Sequence, residues 1–183
     1  MDPGEYSREE RVWLLRVAHE SILTAFHQKK FVIEPLTEHL AEPRGAFTSL
    51  HLRGQLRGCV GYVFPVTPLY RTIAETARAA AFDDSRFEAI SAAEGPLLEI
   101  EISVLSLLQP IVPEEVEIGR HGLLITKGNR RGLLLPQVPI QHQWDRETFL
   151  EQTCRKAGLE ADSWQHGAKL ESFTAEIFRD RGD

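Results

Sequence analysis

Two stretches of this chain follow one plan: an alternating hairpin, a proline, then a capped helix. They cover residues 45–82 and 122–157. This plan constrains the fold more than any other feature of the sequence. A strand buries every second residue, whereas a helix buries a stripe at a spacing of three to four. Hairpins interleaved with helices predict an α+β fold, its β-hairpins forming mixed or antiparallel sheet packed by helices, not a doubly wound parallel sheet. The two stretches are not alike residue by residue, so they give only a weak suggestion of internal duplication.

The first hairpin is "GAFTSLHLRGQLRGCVGYVF", residues 45–64. Its register decides where Cys59 points, because a one-residue slip turns every side chain to the other face. A two-residue loop at Gly54 and Gln55 pairs Leu50 with Cys59 and mixes charge with hydrocarbon on one face. A three-residue loop, Arg53 to Gln55, pairs Leu52 with Leu56, His51 with Arg57 and Ser49 with Cys59. The second register separates apolar from polar groups and is favoured. It puts Thr48, Leu50, Leu52, Leu56 and Val60 on one face, and Phe47, Ser49, His51, Arg57 and Cys59 on the other.

Helices and further strands surround this hairpin. Ser7 followed by Glu10 is a capping-box pattern, and Trp13, Leu14, Val17, Ile22 and Phe26 recur at helical spacing, predicting a helix from Ser7 to about Gln28. Pro35 and Pro43 break the segment that follows into a connector. Thr67 as N-cap and Pro68 at the first helical position start a helix whose stripe is Leu69, Ile73, Ala77, Ala80 and Ala81. Asp83 and Asp84 end it in a polar turn that presents Arg86. Leu98, Ile100, Ile102 and Val104 alternate as a half-buried strand. "GLLITKGNRRGLLLP" turns at Gly128 and Asn129 and stops at Pro136. Asp145 caps a helix that ends at Gly158, with Arg155 and Lys156 in its last turn. "KLESFTAEIF" reads as one final strand.

The bulk properties exclude several classes. The 183 residues fit one domain, or two small lobes sharing a core. A chain of this size buries about 70 % of its unfolded surface and needs no staples. The net charge of −6 disfavours duplex binding through a broad basic surface. Two cysteines do not make a disulfide framework, and the acidic N-terminal segment is unlike a signal peptide, so reduced thiols and a cytoplasmic location are expected. No apolar run approaches the roughly 20 residues of a membrane span. No glycine-rich phosphate loop, dinucleotide fingerprint, G-x-S-x-G elbow or zinc spacing is present, and no cofactor or metal is expected. The final Arg181-Gly182-Asp183 is taken as a chance match to an adhesion tripeptide.

Cys59 is the leading candidate for chemistry. It lies between Gly58 and Gly61, which give up side-chain packing, and Arg57 precedes it. It reads as a thiolate nucleophile or redox thiol, with Arg57 beside the sulfur and the amides near Gly58 and Gly61 receiving negative charge. It reads equally as a small buried side chain. His51 and His121 are the candidate bases; His142 and His166 rank below them. Asp84 and Arg86 either hold an anionic group or pin their turn to the sheet by ion pairing. Gln137, just past a strand, either donates to a ligand or bonds neighbouring backbone. Arg53, Arg57, Arg130 and Arg131 all lie near hairpin turns, as scattered solvated charges or as a local positive patch.

Taken together, these motifs resemble the AMME chromosomal region protein family, whose domain is called AMMECR. Its hallmark Leu-Arg-Gly-Cys-Ile-Gly stands here as Leu56 to Gly61, with Val60 for the isoleucine. "RGAF", "DSRF", "EISVLS", "GLLI", "LPQV", Trp144-Asp145 and "KAGL" follow the family pattern in order, over nearly the whole chain. Ser85 stands where the family usually has proline. The resemblance implies one domain over 1–183, with a larger and a smaller lobe facing each other across a cleft and the Cys59 motif in or near it. It supplies no reaction. It suggests a modification pathway shared with Memo-family or radical SAM proteins. The expected function is a cysteine-dependent enzyme acting on a small anionic substrate. The alternatives are a binding or accessory module for a small anion, nucleotide or partner protein, and, third, an RNA-associated factor.

Overall fold

A computed structural model of the chain describes residues 4–27 and 31–180. The terminal Arg181-Gly182-Asp183 and the expected helix end at Gln28 lie outside the described residues. The chain divides into two compact units, Met1–Leu105 with Glu176–Asp183, and Ser106–Ala175.

The first unit opens with α1, Arg8–Phe26. The Ser7 hydroxyl accepts the Glu10 amide, and the Glu10 carboxylate takes the Ser7 amide in return, so the capping box forms as read. The connector includes a short 3-10 turn at His39–Ala41. Strands β1, Ala46–Leu52, and β2, Gln55–Tyr62, follow, then α2, Leu69–Phe82, and β3, Glu99–Leu105. The last strand of this sheet, β8 (Ala175–Arg179), comes from the far end of the chain and completes an order β2-β1-β3-β8. The alternating Ala46, Thr48 and Leu50 of β1 and Ile100, Ile102 and Val104 of β3 are buried in a core with Leu14, Val17, Ala18 and Ile22 of α1 and the stripe of α2. At its centre a buried hydrogen bond of 2.8 Å joins Thr48 of β1 to Thr76 of α2.

The second unit holds β4 (Gln109–Pro110), β5 (Gly122–Lys127), β6 (Arg130–Leu134), a single helical turn α3 (Gln137–Gln141), α4 (Arg146–Lys156) and β7 (Lys169–Phe173). Its sheet order is β4-β7-β5-β6, with neighbouring strands antiparallel. Asp145 caps α4 by accepting the Thr148 amide at 2.8 Å, and Gly158 leaves the helix at φ 70°. Val116, Leu123, Ile125, Phe149, Leu150, Cys154 and Leu170 form its core. The architecture is the expected α+β, as two antiparallel sheets packed by helices. Among the described residues no helix is long and apolar enough to cross a membrane.

Three local readings are corrected. The tip of the first hairpin is a two-residue turn, Arg53 and Gly54, both at positive φ (52° and 78°), pairing Leu52 with Gln55 and His51 with Leu56. Both central residues in the left-handed region make the turn whose twist matches the strands. A β-bulge at Arg57 takes up the extra residue, and from Leu50–Gly58 inward the ladder follows the favoured register, with Ser49 opposite Cys59. Second, Thr67 does not cap α2. Pro68 is the extended residue before the helix (ψ 137°), and the Leu69 amide is satisfied by the Glu42 carbonyl at 2.9 Å. Third, "KLESFTAEIF" is two strands in two sheets. At Thr174 both backbone groups leave the ladder and bond Ser106, the carbonyl accepting its amide at 2.9 Å and the amide donating to its hydroxyl at 3.0 Å.

Candidate functional site

Cys59 lies on β2, an edge strand, on the sheet face opposite α2. Its neighbour Gly58 faces the helix. A Cβ there would lie 2.9 Å from the Ala80 carbonyl carbon and closer still to the carbonyl oxygen. At Gly61 a Cβ would lie 2.7 Å from Cε1 of Phe47, the residue opposite it on β1. Both glycines thus occupy close approaches made by the protein's own helix backbone and aromatic ring.

The half-buried Cys59 sulfur accepts a hydrogen bond from the Ser49 hydroxyl at 3.2 Å. The outer edge of the strand is closed by the loop after α2. The Cys59 amide donates to the Asp84 carboxylate at 2.9 Å, and the Cys59 carbonyl accepts from Arg86 Nη2 at 3.0 Å. Asp84 and Arg86 also bond each other, Nε to Oδ1 at 2.9 Å and Nη2 to Oδ2 at 2.7 Å. The Arg86 guanidinium, joined by the Cys59 amide, holds the Asp84 carboxyl well below the usual carboxylate range. The same contact raises Arg86. Two side chains therefore stand in for the missing neighbouring strand. The Asp84 side chain is nearly enclosed, while that of Arg86 is 60 % exposed.

Arg57, at the bulge, turns to another partner. It donates to the Glu88 carbonyl at 3.3 Å and to Glu94 at 3.1 Å. The Ser91 amide and hydroxyl, with Arg57, hold Glu94 down to about 2. His51 pairs with Leu56 and Glu99 across its strands and lines a separate depression with Gly54, Glu99, Glu101, Arg179 and Asp180. Among the described residues no imidazole is hydrogen-bonded to the Cys59 sulfur. His121 and Gln137 belong to the second unit. There the Glu117 amide donates to His121 Nδ1 at 3.1 Å, and the Gln137 Oε1 is buried with no hydrogen-bond partner among the described residues.

The structure thus brings Cys59, Gly58, Gly61, Asp84 and Arg86 together, with Arg57 close by in sequence but engaged elsewhere. Sequence reasoning missed the contacts made by Ser49, Glu88 and Glu94. Ser49 was legible as the residue opposite Cys59, and Glu94 as the end of a Ser91-x-x-Glu94 turn. The second thiol, Cys154, is fully buried, and burial pushes it up from its ordinary value. Among the described residues no group of three or more His, Cys, Asp or Glu side chains is placed to hold a metal ion.

A mixed α+β chain of two antiparallel sheets, with an edge-strand cysteine clamped by an Asp–Arg loop, is the class these features define. A family model described as AMMECR1 matches residues 15–178, and the chain belongs to that family. Protein MJ0810 of Methanocaldococcus jannaschii is 40 % identical over 94 % of this chain and 90 % of its own length. Protein MK0488 of Methanopyrus kandleri is 38 % identical over 94 % and 89 %. The crystal structure of uncharacterized protein PH0010 from Pyrococcus horikoshii superposes with a TM-score of 0.87 at 35 % identity, covering 97 % of this chain and 95 % of that one.

Proposed function

We propose that the chain acts through Cys59 on a small anionic substrate, with the Arg86 guanidinium orienting the substrate's charged group. One observation carries this reading. The Cys59 sulfur accepts a hydroxyl donor from Ser49, while the same residue's amide and carbonyl are fixed by Asp84 and Arg86. A donor aimed at sulfur is complementary to the nucleophilic thiolate form. A fixed backbone holds the nucleophile in one geometry. The exposed guanidinium beside it, its Nε and Nη2 already taken by Asp84 and the Cys59 carbonyl, can donate to a carboxylate or phosphate from Nη1.

Acyl transfer is the simplest test. With acetyl phosphate, the sulfur pair forms the S–C bond, the C–O bond to phosphate breaks, and phosphate leaves with that pair. Intact mass is expected to show one acetyl group on the protein, none on Cys59→Ser, and slower uptake on Arg86→Gln. Equal acetylation of Cys59→Ser refutes the reading. A second reading, a binding module without turnover, is favoured by the lack, among the described residues, of an imidazole hydrogen-bonded to the Cys59 sulfur. Under it, inorganic phosphate shifts the Cys59 and Arg86 amide signals, Cys59→Ser keeps that binding, and no acetyl group appears on any variant.

A further inference from the structure

The face that carries Cys59 also carries a polar row across the strands. Ser49 stands opposite Cys59 in the β1–β2 ladder and opposite Glu101 in the β1–β3 ladder. Directly opposed side chains have Cβ atoms about 4.5–5.5 Å apart. The row ends on β8, where Arg179 meets Glu101 at 3.0 Å. Glu101 and Arg179 also form part of the wall of a depression of about 270 Å³, shared with His51, Glu99 and Asp180. Thiol, hydroxyl and carboxylate thus follow one another across three strands, and the carboxylate borders a cavity open to solvent.

We propose that Glu101 is a positioning residue for Cys59, receiving through the Ser49 hydroxyl the proton the thiol gives up when it reacts. The inference rests on the thiol reading above and supplies the base that no histidine provides. The hydroxyl is a rotor that can donate and accept. As it swings from sulfur toward Glu101, the S–H proton passes to Ser49 Oγ and the hydroxyl proton passes to the carboxylate. The S–H bond and the original O–H bond break, two O–H bonds form, and sulfur keeps its electron pair. Glu101 ends as a neutral acid and returns its proton to solvent through the depression, so no oxidant or reductant is needed. The charged groups facing the row are Arg179 against Glu101, His51 and Glu99 in the next row, and Asp84 and Arg86 on the Cys59 backbone.

The test is the alkylation rate of the native protein by iodoacetamide at pH 7, followed by intact mass. Cys154 is fully buried, and Cys59→Ser gives the background. Wild type is expected to react faster than free cysteine. Glu101→Gln and Ser49→Ala are each expected to slow it about tenfold or more, with the double variant no slower than either single one, as for groups acting as a unit. Arg179→Gln separates this role from a structural one. It breaks the ion pair but keeps the carboxylate, so the relay predicts no slowing, whereas a merely structural ion pair predicts slowing. Glu101→Asp keeps the charge and serves if Glu101→Gln fails to fold; it should retain most of the rate. A fast wild type with unchanged Glu101 and Ser49 variants overturns the relay and leaves the thiol reading standing. A wild type no faster than free cysteine overturns both.

Discussion

Gly58→Ala tests whether the glycine of the cysteine motif serves packing. The new Cβ would lie 2.9 Å from the Ala80 carbonyl carbon, where ordinary contacts begin at 3.4 Å, and nearer still to the oxygen. Strand β2 and helix α2 must therefore part by at least about 0.5 Å, in a core that includes the fully buried Leu50, Ile73 and Ala77. Overpacking of this kind costs about 1–3 kcal/mol, and a backbone atom that cannot rotate away puts this site at about 3. For a chain of this length that lowers Tm by about 6–12 °C. The assay is calorimetry, with urea denaturation as a check. Ala80→Gly should not rescue the variant, because the obstruction is the carbonyl and not the methyl. Gly61→Ala is the contrasting case. Its obstruction is the Phe47 ring, so Phe47→Ala should recover about 1 kcal/mol or more of coupling in a double-mutant cycle. A Gly58→Ala protein within 0.5 kcal/mol of wild type, or one rescued by Ala80→Gly, would falsify the packing account.

Three further outcomes follow from the same geometry. Burial raises the pKa of Glu10, but hydrogen bonds from Thr37 and Ser7 and the contact with His39 outweigh it and hold the group at about 2 in the folded state. A depressed acid contributes stability above its unfolded value of 4.5 and loses it as pH falls toward 2, so urea titrations should show a loss of at most about 3 kcal/mol across that window, absent in Glu10→Gln. Asp84→Asn removes the charge that anchors Arg86, and hydrogen exchange at the Cys59 amide should accelerate with a stability loss of about 1–3 kcal/mol; an unchanged exchange rate refutes the clamp. Thiol counting should find one reactive cysteine in the native protein and two in guanidinium, because Cys154 is sealed in the second core; two native thiols would contradict that burial.

The features legible in the sequence are those decided by local chemistry. Ser7 and Glu10 fix the start of α1, the alternation from Leu98 to Val104 marks β3, and separating polar from apolar residues sets Ser49 against Cys59. The features that were not legible depend on distant partners. Whether the hairpin turns in two residues or three depends on Arg53 tolerating positive φ and on a bulge that leaves Arg57 facing Glu94, 37 residues on. Thr174 lies inside an unbroken alternation, and only its bonds to Ser106, 68 residues earlier, divide that run between two sheets. Asp84 and Arg86 read either as ligand groups or as a pin holding their turn to the sheet. Their bonds to each other and to the Cys59 backbone are of the second kind, and only the point of attachment, the outer edge of β2 at Cys59, is not signalled locally.

The same two devices recur in both units, which gives physical content to the shared plan of the sequence. In the first, Gly58 of the hairpin's second strand meets the backbone of the following helix at Ala80, and Phe47 lies over the glycine opposite it, Gly61. In the second, a Cβ on Gly132 of β6 would lie 2.8 Å from Cα of Ala157 at the end of α4, and Phe173 lies over its cross-strand partner Gly122. A glycine against helix backbone lets a short hairpin approach its helix closely, and an aromatic ring over a second glycine covers surface that no side chain fills. Neither device shows in residue-by-residue similarity, because each needs only a glycine and a facing partner, and the partner's identity is free to change.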